Sequence, residues 1–156
     1  GDTVQFTSLD PFRIIISGRT KHFINAFGEE VIIDNVEKAI EKVIKKHKCK
    51  IVDYTVAPRF MQSGKKGNHD WIIEFSKDPK NINDFMLDLD LHIQDNNTDY
   101  KAKRFKNITL DKPILHYARK NLFYDWLKSK NKVGGQNKIP RLSNDRKFFD
   151  ELLKIN

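Results

Sequence analysis

The chain has 156 residues, 38% of them hydrophobic and eleven of them phenylalanine, with a formal net charge of +8. That length suits one ordinary domain burying roughly 70% of its unfolded surface, and the composition excludes disorder. Apolar runs of a few residues exclude a membrane-spanning helix, the first residues carry no secretory pattern, and the single Cys49 excludes an internal disulfide and suits a reducing compartment.

In chain order, residues 4–8 and 12–17 alternate or run apolar around "LDP" and predict a β-hairpin. "HFINAF" continues as a third short extended piece. "DNVEKAIEKVIKKH", residues 34–47, predicts a helix, with Asp34 as N-cap, Glu37 at capping-box spacing, and Val36, Ile40, Val43, Ile44 and His47 on one face. "CKIVDYTVAP" and "HDWIIEF" read as strands joined by the polar loop "QSGKKGN". Asp78-Pro79 is expected to open the next helix, whose face is Ile82, Phe85, Met86, Leu89 and Ile93. The run "LDLDLHI" within it also fits a strand's period of two. "DKPILHYA" is a further strand, "NLFYDWLKSK" a short helix, and "NDRKFFDELLKI" a final helix capped by Ser143. The sum is α+β: a mostly antiparallel sheet with helices packed on it.

The charge is uneven, with six lysines (Lys38, Lys42, Lys45, Lys46, Lys48, Lys50) against Glu41 in thirteen residues. Such clusters bind polyanions by counterion release, or simply form the solvated face of an amphipathic helix. The segment "NKVGGQNKIPRLSN" has two glycines, a proline, three cations and little periodicity. It is either a connector or a working loop.

Most chemical motifs fail. His22, His47, His69, His92 and His116 show no paired spacing, so with one cysteine they build no zinc site. No G-x-S-x-G is present, and Cys49 reads as a small buried hydrophobe rather than a nucleophile. "GGQNK" lacks the phosphate-loop consensus, and Glu29 and Glu30, adjacent on an extended segment, point apart and do not share a proton.

Three separated pieces remain: "GDTVQF", "SGRTKHFINAFGEEVIIDNVE" and "GGQNKIPRLSNDR". The first resembles the end of the Tyr-x-Thr-Gly-Asp motif of adenylate-forming enzymes, the superfamily of acyl-CoA synthetases, adenylation domains and luciferases. The second resembles that superfamily's Gly-Arg-x-(Asp or Lys) motif with its glycine turn and helix. Together with "GNHDWIIEF" and "LFYDWL", the wording resembles the Gretchen-Hagen-three (auxin-responsive promoter) family of acyl-acid amido synthetases, in its bacterial branch, over essentially the whole chain.

The resemblance implies the mobile C-terminal lid domain of such an enzyme. Residues 1–156 are then one domain, with 1–17 the end of a linker hairpin leading from an N-terminal domain that this chain lacks. The motif's threonine would precede Gly1, which could itself be a cloning remnant. By position, Asp2 matches the aspartate that accepts hydrogen bonds from the adenylate's ribose hydroxyls. Arg19 matches the arginine that contacts nucleotide, Lys21 falls at the hinge, and Lys138 matches the catalytic lysine that bridges acyl carboxylate and α-phosphate. Read alone, Lys138 is a solvated loop lysine, Arg19 a turn cation and Asp2 a terminal residue.

The implied function is ATP-dependent activation of a carboxylic acid and its transfer to an amine. ATP and Mg²⁺ would be held mainly by the N-terminal domain, in a cytoplasmic enzyme with neither membrane nor nucleic-acid partner. Thioester formation with coenzyme A is an alternative within the same chemistry. Outside it stands a basic nucleic-acid module using the 38–50 helix, although the aromatic-and-glycine signatures of RNA-binding sheets are missing.

Overall fold

The computed structural model describes residues 2–19, 23–134 and 138–156. The expected hairpin is present: β1 (Asp2–Leu9) and β2 (Phe12–Arg19) pair antiparallel around Asp10-Pro11, with Asp2 opposite Arg19 at the open end. Phe6, Leu9, Phe12, Ile14 and Ile16 are all more than half exposed on it. A two-stranded ribbon is marginal by itself, and this one leaves those apolar side chains exposed among the described residues. β3 (Phe23–Ile24) and β4 (Val31–Ile32) form a second small antiparallel pair.

The main sheet is β5 (Lys50–Arg59), β6 (Asn68–Lys77) and β7 (Ile114–Tyr117). β5 and β6 pair antiparallel, but β7 joins β6 in parallel, which an adjacent turn cannot achieve. The crossover contains α2 (Ile82–Asn96) and α3 (Thr98–Arg104). α1 (Ile33–His47) and α2 cover one face of the sheet. α4 (Leu122–Ser129) and α5 (Lys147–Ile155) cover the other.

β6 shows how the layers are assigned. Trp71 and Ile73 enter the core with Val36, Val43, Phe85 and Leu89, while Ile72 between them enters the core with Leu122, Phe149 and Leu152. The strand's period of two feeds both cores, so it is buried on both faces. Gly67 just before it lies under the Phe27 ring, where an added Cβ would sit 2.4 Å from a ring carbon. We expect Gly67→Ala to expel that ring and lower stability by about 1–3 kcal/mol, read as a shift in the urea midpoint.

The helix boundaries correct several expectations. α1 is capped by Asn35, whose Oδ1 accepts the Ile32 N–H at 3.1 Å, not by Asp34 and Glu37. Asp34 instead pairs with Lys38 at 2.6 Å, and Glu37 turns to Tyr54. α2 starts after Pro79 because the Asn81 side chain accepts the Asn83 and Asp84 N–H groups at 2.9 and 3.2 Å. In "LDLDLHI" the helical period prevails, burying Leu89 and Ile93 and leaving Leu87 and Leu91 about half exposed. α3 was not expected from its polar sequence; Asn97 caps it and Tyr100 is its buried anchor. α5 begins past Ser143, after Asp145 accepts the Lys147 N–H at 2.9 Å.

Cys49 is buried, and burial pushes its thiol up, as suits an inert filler. On α1, Lys38, Lys45 and Lys46 pair with Asp34, Glu41 and Asp88, so half of the lysine cluster is neutralised in place. No helix among the described residues is long and apolar enough to cross a membrane.

Candidate functional site

The irregular segment before α5 docks on the free edge of β5 through an isolated parallel bridge between Leu142 and Val56. Arg141 C=O accepts the Val56 N–H at 2.9 Å, Ser143 N–H donates to Val56 C=O at 3.1 Å, and Thr55 Oγ1 donates to Pro140 C=O at 2.7 Å. Ile139 and Leu142 are buried beneath it. Lys138 is the first described residue of this segment, and it is exposed. It stands next to the buried Ile139 and two residues before Pro140, whose C=O accepts from Thr55.

Arg141 is the segment's side-chain anchor. It pairs with Glu37 of α1, stands 3.7 Å from Asp53 Oδ1, and lies 5.1 Å over the Tyr54 ring. The Tyr54 hydroxyl donates to the same Glu37 carboxylate at 2.7 Å, and its ring stacks on Trp71. Burial would lower the Arg141 guanidinium, but Tyr54, Glu37 and Asp53 hold it above its ordinary value, so it stays charged. Burial raises the Asp53 carboxyl above the ordinary range, against the pull of the Tyr54 N–H, Arg141 and Lys138. Lys138 therefore stands in the field of a half-buried acid.

The same segment continues to Asn144, which holds the turn after β3. The Asn144 side chain accepts the Asn25 N–H at 2.7 Å and donates to Phe23 C=O at 3.2 Å. The lysine-bearing segment and the Asn25–Glu30 turn are thus parts of one hydrogen-bonded frame. Asp2 and Arg19 are brought opposite each other in the hairpin ladder. Lys21 and His22 lie outside the described residues.

A family model described as the GH3 family C-terminal domain matches residues 34–147, about three-quarters of the chain and inclusive of Lys138. The chain belongs to the GH3 family. Two solved structures share the fold of this GH3 domain. The GH3.15 acyl acid amido synthetase superposes with a TM-score of 0.74 at 18% identity, covering 99% of this chain and 29% of that one. The AtGH3.15 acyl acid amido synthetase in complex with 2,4-DB gives 0.75 at 16% identity, covering 100% and 29%. The GH3 domain described here therefore spans less than a third of the length of those synthetases. A comparison with curated proteins gave no match.

Sequence reasoning missed the GH3 domain's buried polar groups. Glu29, with no exposed surface, accepts from His69 Nε2 at 2.9 Å and from the Phe27 N–H at 2.6 Å. The adjacent glutamates do point apart, but on a turn with Gly28 and Glu30 both left-handed, not on an extended segment. Asp70 accepts from Arg59 Nε at 3.0 Å and Arg146 at 2.9 Å, and Glu74 accepts the Asn121 N–H at 2.7 Å. The available signal was "HDWIIEF" itself: three ionisable residues inside a strand covered on both faces require partners. Among the described residues no three of His, Cys, Asp and Glu gather to hold a metal ion.

Proposed function

We propose that this GH3 domain is the lid of an adenylate-forming ligase that activates a carboxylic acid with ATP and passes the acyl group to an amine, such as an amino acid. The observation that carries the reading is Lys138: exposed, within the residues the family model matches, at the start of a segment that hydrogen-bonds β5 from Pro140 onward. In the first half-reaction the substrate carboxylate attacks the α-phosphorus and pyrophosphate leaves. Both partners are anionic, and the Lys138 ammonium offsets the charge that builds on the phosphorus centre. Mg²⁺ carried in with the nucleotide supplies further charge neutralisation there. Asp2 accepts from the ribose hydroxyls and Arg19 supplies a planar donor fork to the nucleotide.

The lid then pivots at Lys21, withdrawing Lys138 and presenting the Asn25–Glu30 turn. The amine attacks the acyl carbonyl, and AMP leaves with the electron pair of the broken acyl–phosphate bond. The partner of the lid is an N-terminal domain holding the acid and nucleotide pockets. The apolar β1–β2 hairpin, residues 1–17 of the linker, seats on it. A buried, unpaired Cys49 fits a reducing cytoplasm.

The test uses the full-length enzyme that contains this domain. Carboxylic-acid-dependent ATP–pyrophosphate exchange is expected across a panel of acids, and its failure with every acid overturns the reading. Lys21→Pro should leave exchange within twofold and slow amide formation at least tenfold, because a proline cannot follow the backbone rotation of a hinge. Unchanged amide formation would remove the hinge assignment.

A further inference from the structure

We propose that Glu29 and His69 are positioning residues for the amine-transfer half-reaction: a buried carboxylate–imidazole pair fixes the Asn25–Glu30 turn in the shape it presents to the acyl-adenylate. The inference rests on the lid reading above and adds residues that this reading does not use.

Several features converge on this one turn. The Glu29 carboxylate lies beneath it, fully buried, one oxygen receiving the Phe27 N–H and the other the His69 ring N–H. Burial would raise that carboxyl, yet the His69 hydrogen bond and charge, with the Glu29 and Phe27 N–H groups, keep it below the ordinary value and ionised. An ionised carboxylate only accepts, so both neighbours must donate, which fixes the imidazole's Nε2 as the protonated nitrogen. The ring is held in turn. His69 stacks on Tyr100 with centroids 5.4 Å apart, and the Tyr100 hydroxyl donates to Asp90 at 2.7 Å.

From outside, the turn is closed by Glu30 N–H to Asn25 Oδ1 at 3.3 Å and Asn97 Nδ2 to Glu30 C=O at 3.0 Å. Gly28 at φ +80° and Glu30 at φ +43° are left-handed. A non-glycine residue is uncommon in that conformation, and here Asn25 and Asn97 hold the Glu30 backbone while the buried Glu29 carboxylate holds the turn at Phe27. A turn needed only to connect β3 to β4 would close on solvent or on apolar side chains. This one is held from within by a charge that must stay paired, so its geometry is kept when the lid moves as a body.

The experiment separates the two half-reactions in the full-length enzyme, with Glu29→Gln and His69→Gln. Glu29→Gln keeps the acceptor for the Phe27 N–H and removes the charge facing His69. Acid-dependent ATP–pyrophosphate exchange should stay within twofold of the parent, while amine attack on preformed acyl-adenylate falls tenfold or more, since about 1 Å of misplacement can cost 10²-fold. Glu29→Asp should recover part of that loss. Equal loss of both half-reactions, or no loss in either, overturns the proposal. Absence of exchange in the parent enzyme would instead overturn the lid reading.

Should the variants fail to fold, amide hydrogen exchange of the parent protein decides. The Phe27 N–H is expected to be protected as strongly as amides of β6, and fast exchange there overturns the lock.

Discussion

Lys138→Ala in the full-length enzyme is expected to lower acid-dependent ATP–pyrophosphate exchange by about 10²–10³-fold, the usual consequence of removing one preorganised charge from a developing anion. Amine attack on preformed acyl-adenylate should be nearly unchanged, because the proposed lid motion withdraws the lysine before that step. The fold predicts that the substitution is otherwise silent: the side chain is exposed, and the segment is held by the Val56, Thr55, Ile139 and Leu142 contacts, not by the lysine. The thermal midpoint should therefore stay within about 1–2 °C of the parent, as for surface substitutions generally. Measuring exchange, single-turnover amide formation and melting together checks all three. Equal loss in both half-reactions would take the lysine out of its role.

Asp90→Ala should produce the largest loss of stability. Asp90 is buried on α2 and accepts from the Tyr100 hydroxyl at 2.7 Å and from Arg104 Nε and Nη2 at 2.9 and 2.7 Å. Arg104 also donates to Leu110 C=O at 2.8 Å. One carboxylate thus ties α2 to α3 and to the chain entering β7. Alanine leaves a buried guanidinium without its counter-ion, which costs about 3–5 kcal/mol. For a domain of this size that is a fall in melting temperature on the order of 10 °C. Replacing both partners, Asp90→Leu with Arg104→Met, should recover much of the loss, since an apolar pair has no charge to strand. A single variant melting within about 2 °C of the parent would show that the pair is no cross-link.

What could be read from the chain follows from how local each signal is. The α1 face of Val36, Ile40 and Val43 and the hairpin around Asp10-Pro11 are written in short-range periodicity, and they are found where expected. Helix starts were less legible, because a cap is chosen by which side chain reaches a free N–H. Asn35 and Asn81 reach it; Asp34 and Pro79 do not. α3 was invisible because its one buried apolar anchor, Tyr100, leaves no pattern in seven mostly polar residues.

The candidate site divides the same way. Lys138, Arg19 and Asp2 are proposed from motif resemblance alone, and β1–β2 pairing sets Asp2 across from Arg19. Nothing in one dimension said that "KIPRLSN" docks on β5, because its hydrogen bonds go to a strand more than eighty residues earlier.

By itself, then, the sequence determined the family motifs, the α+β alternation and which apolar faces had to be covered, because these depend on neighbours within a few turns of chain. The tertiary structure alone decided the parallel entry of β7, the docking of the Lys138 segment and the pairing of Glu29 with His69 and Asp90 with Arg104. Those are contacts between distant residues, and their free energy appears only once water has been removed from both partners.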